Sequence, residues 1–190
     1  MIRILYPGKF DKETEVWHPY MDNAANVTAT ELTLVTYNVW FNQYYLQKRC
    51  EALLRVVKNC EADVICLQEI KPDYLNQVLK QEWVQADYYV SDYMGSTVEP
   101  YGVLLLSRLP IACLRLHDLP SIMARKLLVA ELQVNNQTLQ VATVHLESIK
   151  AFAPSRKQQL EQIFPTLETS KHAVLMGDFN FCSSWSEANA

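Results

Sequence analysis

Asn38, Glu69, His145, Ser148, Asp178 and Asn180 are the residues whose types and setting fit hydrolytic chemistry. Each follows closely on an apolar run: Tyr37-Asn38, Leu67-Gln68-Glu69, Val144-His145-Leu146-Glu147-Ser148 and Met176-Gly177-Asp178-Phe179-Asn180. A hard cation such as Mg²⁺ takes oxygen ligands, usually one or two carboxylates, with water and substrate phosphate completing its shell. Glu69 with the amide oxygen of Asn38 meets that need and leaves positions open. His145 and Asn180 carry donors for a phosphate oxygen whose charge grows in the transition state. Asp178 has the chemistry to orient or deprotonate an attacking water. Singly, each Asn, Asp or Glu reads as a cap or turn residue, and Ser148 carries almost no signal. His145 alone reads as a hydrogen-bonded core histidine. Only the set, brought together, points to phosphate-ester hydrolysis.

The elements that must position the set are legible from their patterns. Residues 32–37 and 63–67 read as strands, the second buried on both faces. Between them Leu46, Cys50, Leu53, Leu54, Val57 and Cys60 mark one face of a helix. Tyr74, Leu75, Val78 and Leu79 predict a second helix, and residues 102–107 another buried strand that Pro110 stops. Residues 126–132 and 138–144 predict a hairpin turning at Asn135-Asn136. A helix then starts at Pro154-Ser155, with Ser155 and Gln158 as a capping box and Leu160, Ile163, Phe164 and Leu167 as its buried face. Residues 173–176 form the last strand. Residues 1–30 read as an extension, with a short strand over 2–6 and loop elsewhere. Hairpin pairs outnumber strict βαβ units, so an α+β sandwich with helices outside two packed sheets fits better than a doubly wound sheet.

Composition narrows the function classes. The 190 residues are 49% hydrophobic and 20% charged, with a net charge of −4, which argues against a general basic coat for duplex nucleic acid. The five cysteines (Cys50, Cys60, Cys66, Cys113, Cys182) are odd in number and without CxxC spacing. They predict an intracellular, cytoplasmic or nuclear, reducing setting rather than secretion. Pro7 interrupts the short N-terminal apolar run, so it does not read as a signal peptide. No window approaches 18 apolar residues, so no membrane span is predicted. Trp40 and Phe41 follow Asn38, and Trp40 is the candidate groove-lining residue because aromatic faces stack on unpaired bases.

Thr36-Tyr37-Asn38-Val39, Leu67-Gln68-Glu69-Ile70, His145-Leu146-Glu147-Ser148 and Gly177-Asp178-Phe179-Asn180 resemble, in order, the motifs of the endonuclease/exonuclease/phosphatase superfamily. Within it the likeness is to the tyrosyl-DNA phosphodiesterase 2 branch, through Ser121-Ile122-Met123-Ala124-Arg125-Lys126-Leu127-Leu128 and His-Leu-Glu-Ser. The resemblance implies a four-layer α/β/β/α sandwich of deoxyribonuclease type over residues 31–190. It implies one Mg²⁺ or Mn²⁺, and hydrolysis of a phosphodiester such as the 5′-phosphotyrosyl-DNA bond by a monomer acting on DNA 5′ ends. Glu69 and Asn38 then serve the metal, Asp178 the water, and His145, Ser148 and Asn180 the phosphate.

Two departures stand beside it. The superfamily's last motif continues with Leu-Arg-Asp, where this chain has Phe181-Cys182-Ser183, so Cys182 replaces an arginine that grips phosphate bidentately. The superfamily's closing Ser-Asp-His is not matched by His18, His117 or His172. The expectation is a domain lacking its C-terminal strands, with an open sheet edge and weak activity on its own. Two further readings compete: another nuclease or phosphatase of the superfamily, or a catalytically degenerate binding module.

Overall fold

The computed structural model describes residues 1–22 and 24–181, and their strands fall into two sheets. In chain order the elements are β1 (Ile2–Leu5), β2 (Gly8–Asp11), β3 (Val16–Pro19), β4 (Leu34–Asn38), α1 (Leu46–Asn59), β5 (Val64–Ile70), α2 (Pro72–Leu79), α3 (Glu82–Asp87), β6 (Tyr89–Val90), β7 (Gly102–Ser107), β8 (Ile111–Asp118), β9 (Lys126–Val134), β10 (Gln137–His145), α4 (Ala153–Leu167) and β11 (His172–Asp178). One sheet runs β3-β2-β6-β7-β5-β4 and the other β1-β8-β9-β10-β11.

Alternation along the strands builds the layers. On β5, Ile65 and Leu67 join the cluster that holds the buried faces of α1, α2 and α3. Its intervening Val64 and Cys66 face the second sheet, meeting Leu114, Leu116, Leu128, Ala130 and Val141. On β9 and β10 the opposite residues, Leu127, Val129, Ala142 and Val144, turn outward to Ile163 and Leu167 of α4. Period-two strands with both faces buried thus give the α/β/β/α sandwich. No helix among the described residues is long and apolar enough to cross a membrane.

Asn135 and Asn136, both at positive φ (51° and 61°), make the two-residue β9–β10 turn as predicted. Three expectations give way. Residues 1–30 are not mainly loop after the first strand. β1 pairs with β8, while β2 and β3 form a hairpin on the edge of the other sheet. Phe10 and Trp17 are cross-strand partners in that hairpin with ring centroids 5.4 Å apart. That pair supplies the stabilisation the short, polar strands lack. The capping box at Ser155 does not form. A 3₁₀ turn at Lys150–Phe152 runs straight into α4, so Ser155 is already inside the helix. Phe164 is exposed, and Arg156 and Gln159 occupy the buried face instead, where they bond the backbone of the segment after β10.

Gly177 carries a packing demand that the site inherits. Its φ is +148°, and a Cβ there would stand 1.9 Å from the Val144 carbonyl oxygen of β10. Gly177→Ala is expected to lose about 1–3 kcal/mol from backbone strain alone, with the clash added. A lowered melting temperature checks it, and an unchanged one contradicts it.

Candidate active site

In each sheet, the two strands that carry candidate residues run parallel: β4 beside β5, and β10 beside β11. Parallel neighbours finish at the same end, so Asn38 lies next to Gln68-Glu69, and His145 is register partner to Asp178. Beneath this junction Gln68, fully buried, donates from Nε2 to Thr143 Oγ1 of the opposite sheet at 3.1 Å. This bond ties the sheets together at the level where their strands end.

Glu69 reaches the site through an irregularity. A regular strand would put it on the face of Ile65 and Leu67, under the helices. Instead the pairing of β5 with β7 shifts between Gln68 and Ile70, and Glu69 takes φ +63°. Such a bulge re-aims a side chain, and a left-handed non-glycine residue costs of order 1–3 kcal/mol. Here it delivers a carboxylate to Asn38.

The Asn38 amide nitrogen donates to both carboxylates, to Glu69 Oε1 at 3.0 Å and Asp178 Oδ2 at 2.8 Å. Its oxygen accepts from the Trp40 backbone N–H at 2.9 Å. The expected arrangement, with the amide oxygen turned to a cation, is therefore not the one adopted. Two carboxylates would repel an oxygen there, and Trp40 N–H claims it. His145 Nε2 stands 3.6 Å from Asp178 Oδ2 and 3.9 Å from Glu69 Oε1. Burial foremost, and then the Arg125 guanidinium, hold the His145 imidazole well below its ordinary pKa, against the pull of both carboxylates. The ring is neutral at pH 7. Asp178 is the more open acid, at 30% side-chain exposure against 13% for Glu69, which suits it to water.

Ser148 and Asn180 lie one bond further out. Asn180 Nδ2 donates to Leu146 O at 2.9 Å and to Ser148 Oγ at 3.4 Å, so both its amide hydrogens are engaged within the protein. Its backbone N–H donates to Asp178 Oδ1 at 2.9 Å. Trp40, half exposed, lines a groove with Tyr37, Asn38, Val39, Leu53 and Val56. A neighbouring cleft of about 340 Å³ runs over Asn38, Gln68, Asp178, Asn180 and Phe181. A larger cleft, of about 570 Å³ beside Phe10 and Glu82, contains none of these residues. Cys182 lies outside the described residues.

Three residues of the site carried no role in the sequence reading. Arg125, buried, donates to His145 Nδ1 and Ser148 Oγ. Tyr101 lies under its guanidinium and stacks on Phe41 at 5.0 Å. Arg49 donates to the carbonyls of Val39, Trp40, Asn42 and Tyr44, and so ties down the loop whose N–H groups hold Asn38 and, through Phe41, Glu69 Oε2. Arg125 lies in the Ser121–Leu128 segment that carries the family resemblance, but nothing in that segment assigns the arginine a partner. Arg49→Met is expected to remove about 2 kcal/mol of local protection from residues 39–45, read as faster amide exchange there with little change elsewhere.

The oxygen chemistry of Glu69 and Asp178 fits a hard divalent cation. Among the described residues no group of three or more His, Cys, Asp or Glu side chains could hold a metal by itself. A Mg²⁺ site completed by water and substrate phosphate does not require one.

Comparisons with known proteins bear on the family and the fold. The Endonuclease/Exonuclease/phosphatase family matches residues 35–189. Tyrosyl-DNA phosphodiesterase 2 of Xenopus laevis is 25% identical over 158 residues, covering 80% of this chain and 41% of that protein. D. rerio TDP2 complexed with single strand DNA product superposes with a TM-score of 0.70 at 22% identity, covering 85% of this chain and 66% of that one. ANGEL2, a 2′,3′-cyclic phosphatase, gives 0.66 at 19% identity, covering 80% and 53%. The chain thus spans about two fifths of its curated relative and up to two thirds of these solved structures. With the matched segment running through all four strand-end motifs, the chain belongs to the endonuclease/exonuclease/phosphatase family.

Proposed function

We propose that this chain carries the catalytic face of a divalent-cation-dependent phosphodiesterase that hydrolyses its substrate by attack of water. The observation that carries the reading is the single amide nitrogen of Asn38 bridging Glu69 and Asp178, with neutral His145 beside both. Glu69 is the carboxylate that holds Mg²⁺ or Mn²⁺, and Asn38 acts on that site by orienting Glu69 rather than by ligating. When bound, the cation neutralises phosphate charge.

The chain's own residues do the rest. Asp178, fixed through both its oxygens by Asn38 and Asn180, receives the proton of the attacking water. His145 donates from Nε2 toward the phosphate oxygen that gains charge, and Ser148 adds a hydroxyl. Asn180 keeps Ser148 and the end of β10 in place. Trp40 offers an exposed face for an unpaired base at the DNA 5′ end. The 5′-phosphotyrosyl-DNA bond is the first substrate to test, because the X. laevis relative is a tyrosyl-DNA phosphodiesterase and the D. rerio structure holds a single strand DNA product. Action as a monomer inside the cell, in cytoplasm or nucleus, is part of the same proposal.

Mg²⁺-dependent hydrolysis should be measured side by side on a 5′-phosphotyrosyl oligonucleotide, plain single-stranded DNA and a 2′,3′-cyclic nucleotide. Preferred cleavage of the first, lost in Glu69→Ala, supports the reading. Metal-dependent turnover of none of the three overturns it.

A further inference from the structure

We infer that Arg125 is a positioning residue that decides which hydrogen His145 and Ser148 each present to the site, an inference that rests on reading those two residues as phosphate contacts. An arginine carries only donors. Its Nη1 lies 2.7 Å from His145 Nδ1, so Nδ1 accepts and must be bare. The ring hydrogen therefore sits on Nε2, the nitrogen 3.6 Å from Asp178 and 3.9 Å from Glu69. The other tautomer would set two N–H groups against each other at hydrogen-bond distance. The same guanidinium donates from Nη2 to Ser148 Oγ at 2.8 Å, and Asn180 Nδ2 approaches that oxygen at 3.4 Å. With donors on its lone pairs, the Ser148 hydroxyl has its own hydrogen left to give elsewhere.

The surroundings argue that Arg125 is kept for this geometry rather than for stability. Its residue is 5% exposed, and among the described residues no carboxylate lies within ion-pair distance of it. Its Nε has no partner. Glu147, Glu69 and Asp178 act on it only from beyond ion-pair distance, and a buried charge without a direct ionic partner is a poor way to fill a core. The chain also spends other groups on aiming it. Ala124 takes φ +56°, and the Arg125 backbone N–H donates to Ser121 Oγ, which itself donates to buried Glu147 at 2.6 Å.

Histidine labelled with ¹⁵N reports tautomers directly through long-range ¹H–¹⁵N correlation, without metal, substrate or turnover. Failure of the phosphodiesterase reading and failure of this one are thus separate outcomes. His145→Gln identifies the His145 signals among those of the four histidines. The unaltered protein is expected to show His145 in a single Nε2–H form, and Arg125→Met a mixture of both forms with the rest of the spectrum preserved. Arg125→Lys, which keeps a donor, should restore the Nε2–H form. An Nδ1–H ring in the unaltered protein overturns the inference even if Arg125→Met does not fold, as does a folded Arg125→Met with the tautomer unchanged.

Discussion

Asp178→Asn is expected to lower kcat by about 10²–10⁴, the usual contribution of a positioned general base. The change keeps shape and removes the group that takes the proton from water. It also spoils the hydrogen bonding, because Asp178 accepts from Asn180 on one oxygen and from Asn38 on the other, and an amide has one oxygen to offer. Stability should not fall in step. Asp178 and Glu69 share one donor and repel each other, so removing one charge relieves the pair. The measurement is kcat at saturating Mg²⁺ beside a melting curve. Retention of more than about a tenth of the turnover would remove Asp178 from the chemistry.

Acid should destabilise the fold well above the carboxylate range. Burial is the leading cause that depresses both His145 and His117, from an ordinary value of 6.5, with Arg125 and Arg115 as the respective next causes. Below pH 6.5 the unfolded chain takes up protons that the folded rings refuse. Stability is therefore fully present above that pH and is lost as pH falls through 6.5 toward the depressed values. Each ring contributes at most about 1.4 kcal/mol per pH unit. Asp118, held below its ordinary range by the Lys126 hydrogen bond, adds its loss only at lower pH. Urea midpoints at pH 7 and pH 5 check the prediction, and His117→Gln/His145→Gln should flatten the difference. Midpoints that hold steady or rise on acidification contradict it.

What the chain reveals before folding follows from the range of the interactions. β4, β5, β10 and β11 announce themselves because their apolar runs are local and their terminal polar residues stand out. Six candidate residues were readable for the same reason. The hairpin β2–β3 was hidden because its short strands lack alternation and are held by the cross-strand pair of Phe10 with Trp17, by the packing of Trp17 on the core and by the pairing of β2 with β6. Phe164 fits the helical stripe yet is exposed, since the buried positions nearer the helix start are taken by Arg156 and Gln159, which serve the backbone after β10. The orientation of Asn38 depends on carboxylates 31 and 140 positions away, and the role of Arg125 on partners 20 and 23 positions on. No window of local sequence contains those facts.

The bond from Gln68 to Thr143 joins two half-sites, Asn38 and Glu69 on one sheet and His145 and Asp178 on the other. The gap between those halves is set by side chains that never meet a substrate: Val64 and Cys66 across from Leu128, Ala130 and Val141. Under the proposed function, that apolar layer sets the spacing on which hydrolysis depends. Selection for turnover in a randomised version of it should return sets that conserve summed volume while permitting exchanges of shape, because a net gain wedges the halves apart. Under that proposal, the core's tolerance to substitution is therefore limited by the need to keep Asn38 and Glu69 aligned with His145 and Asp178.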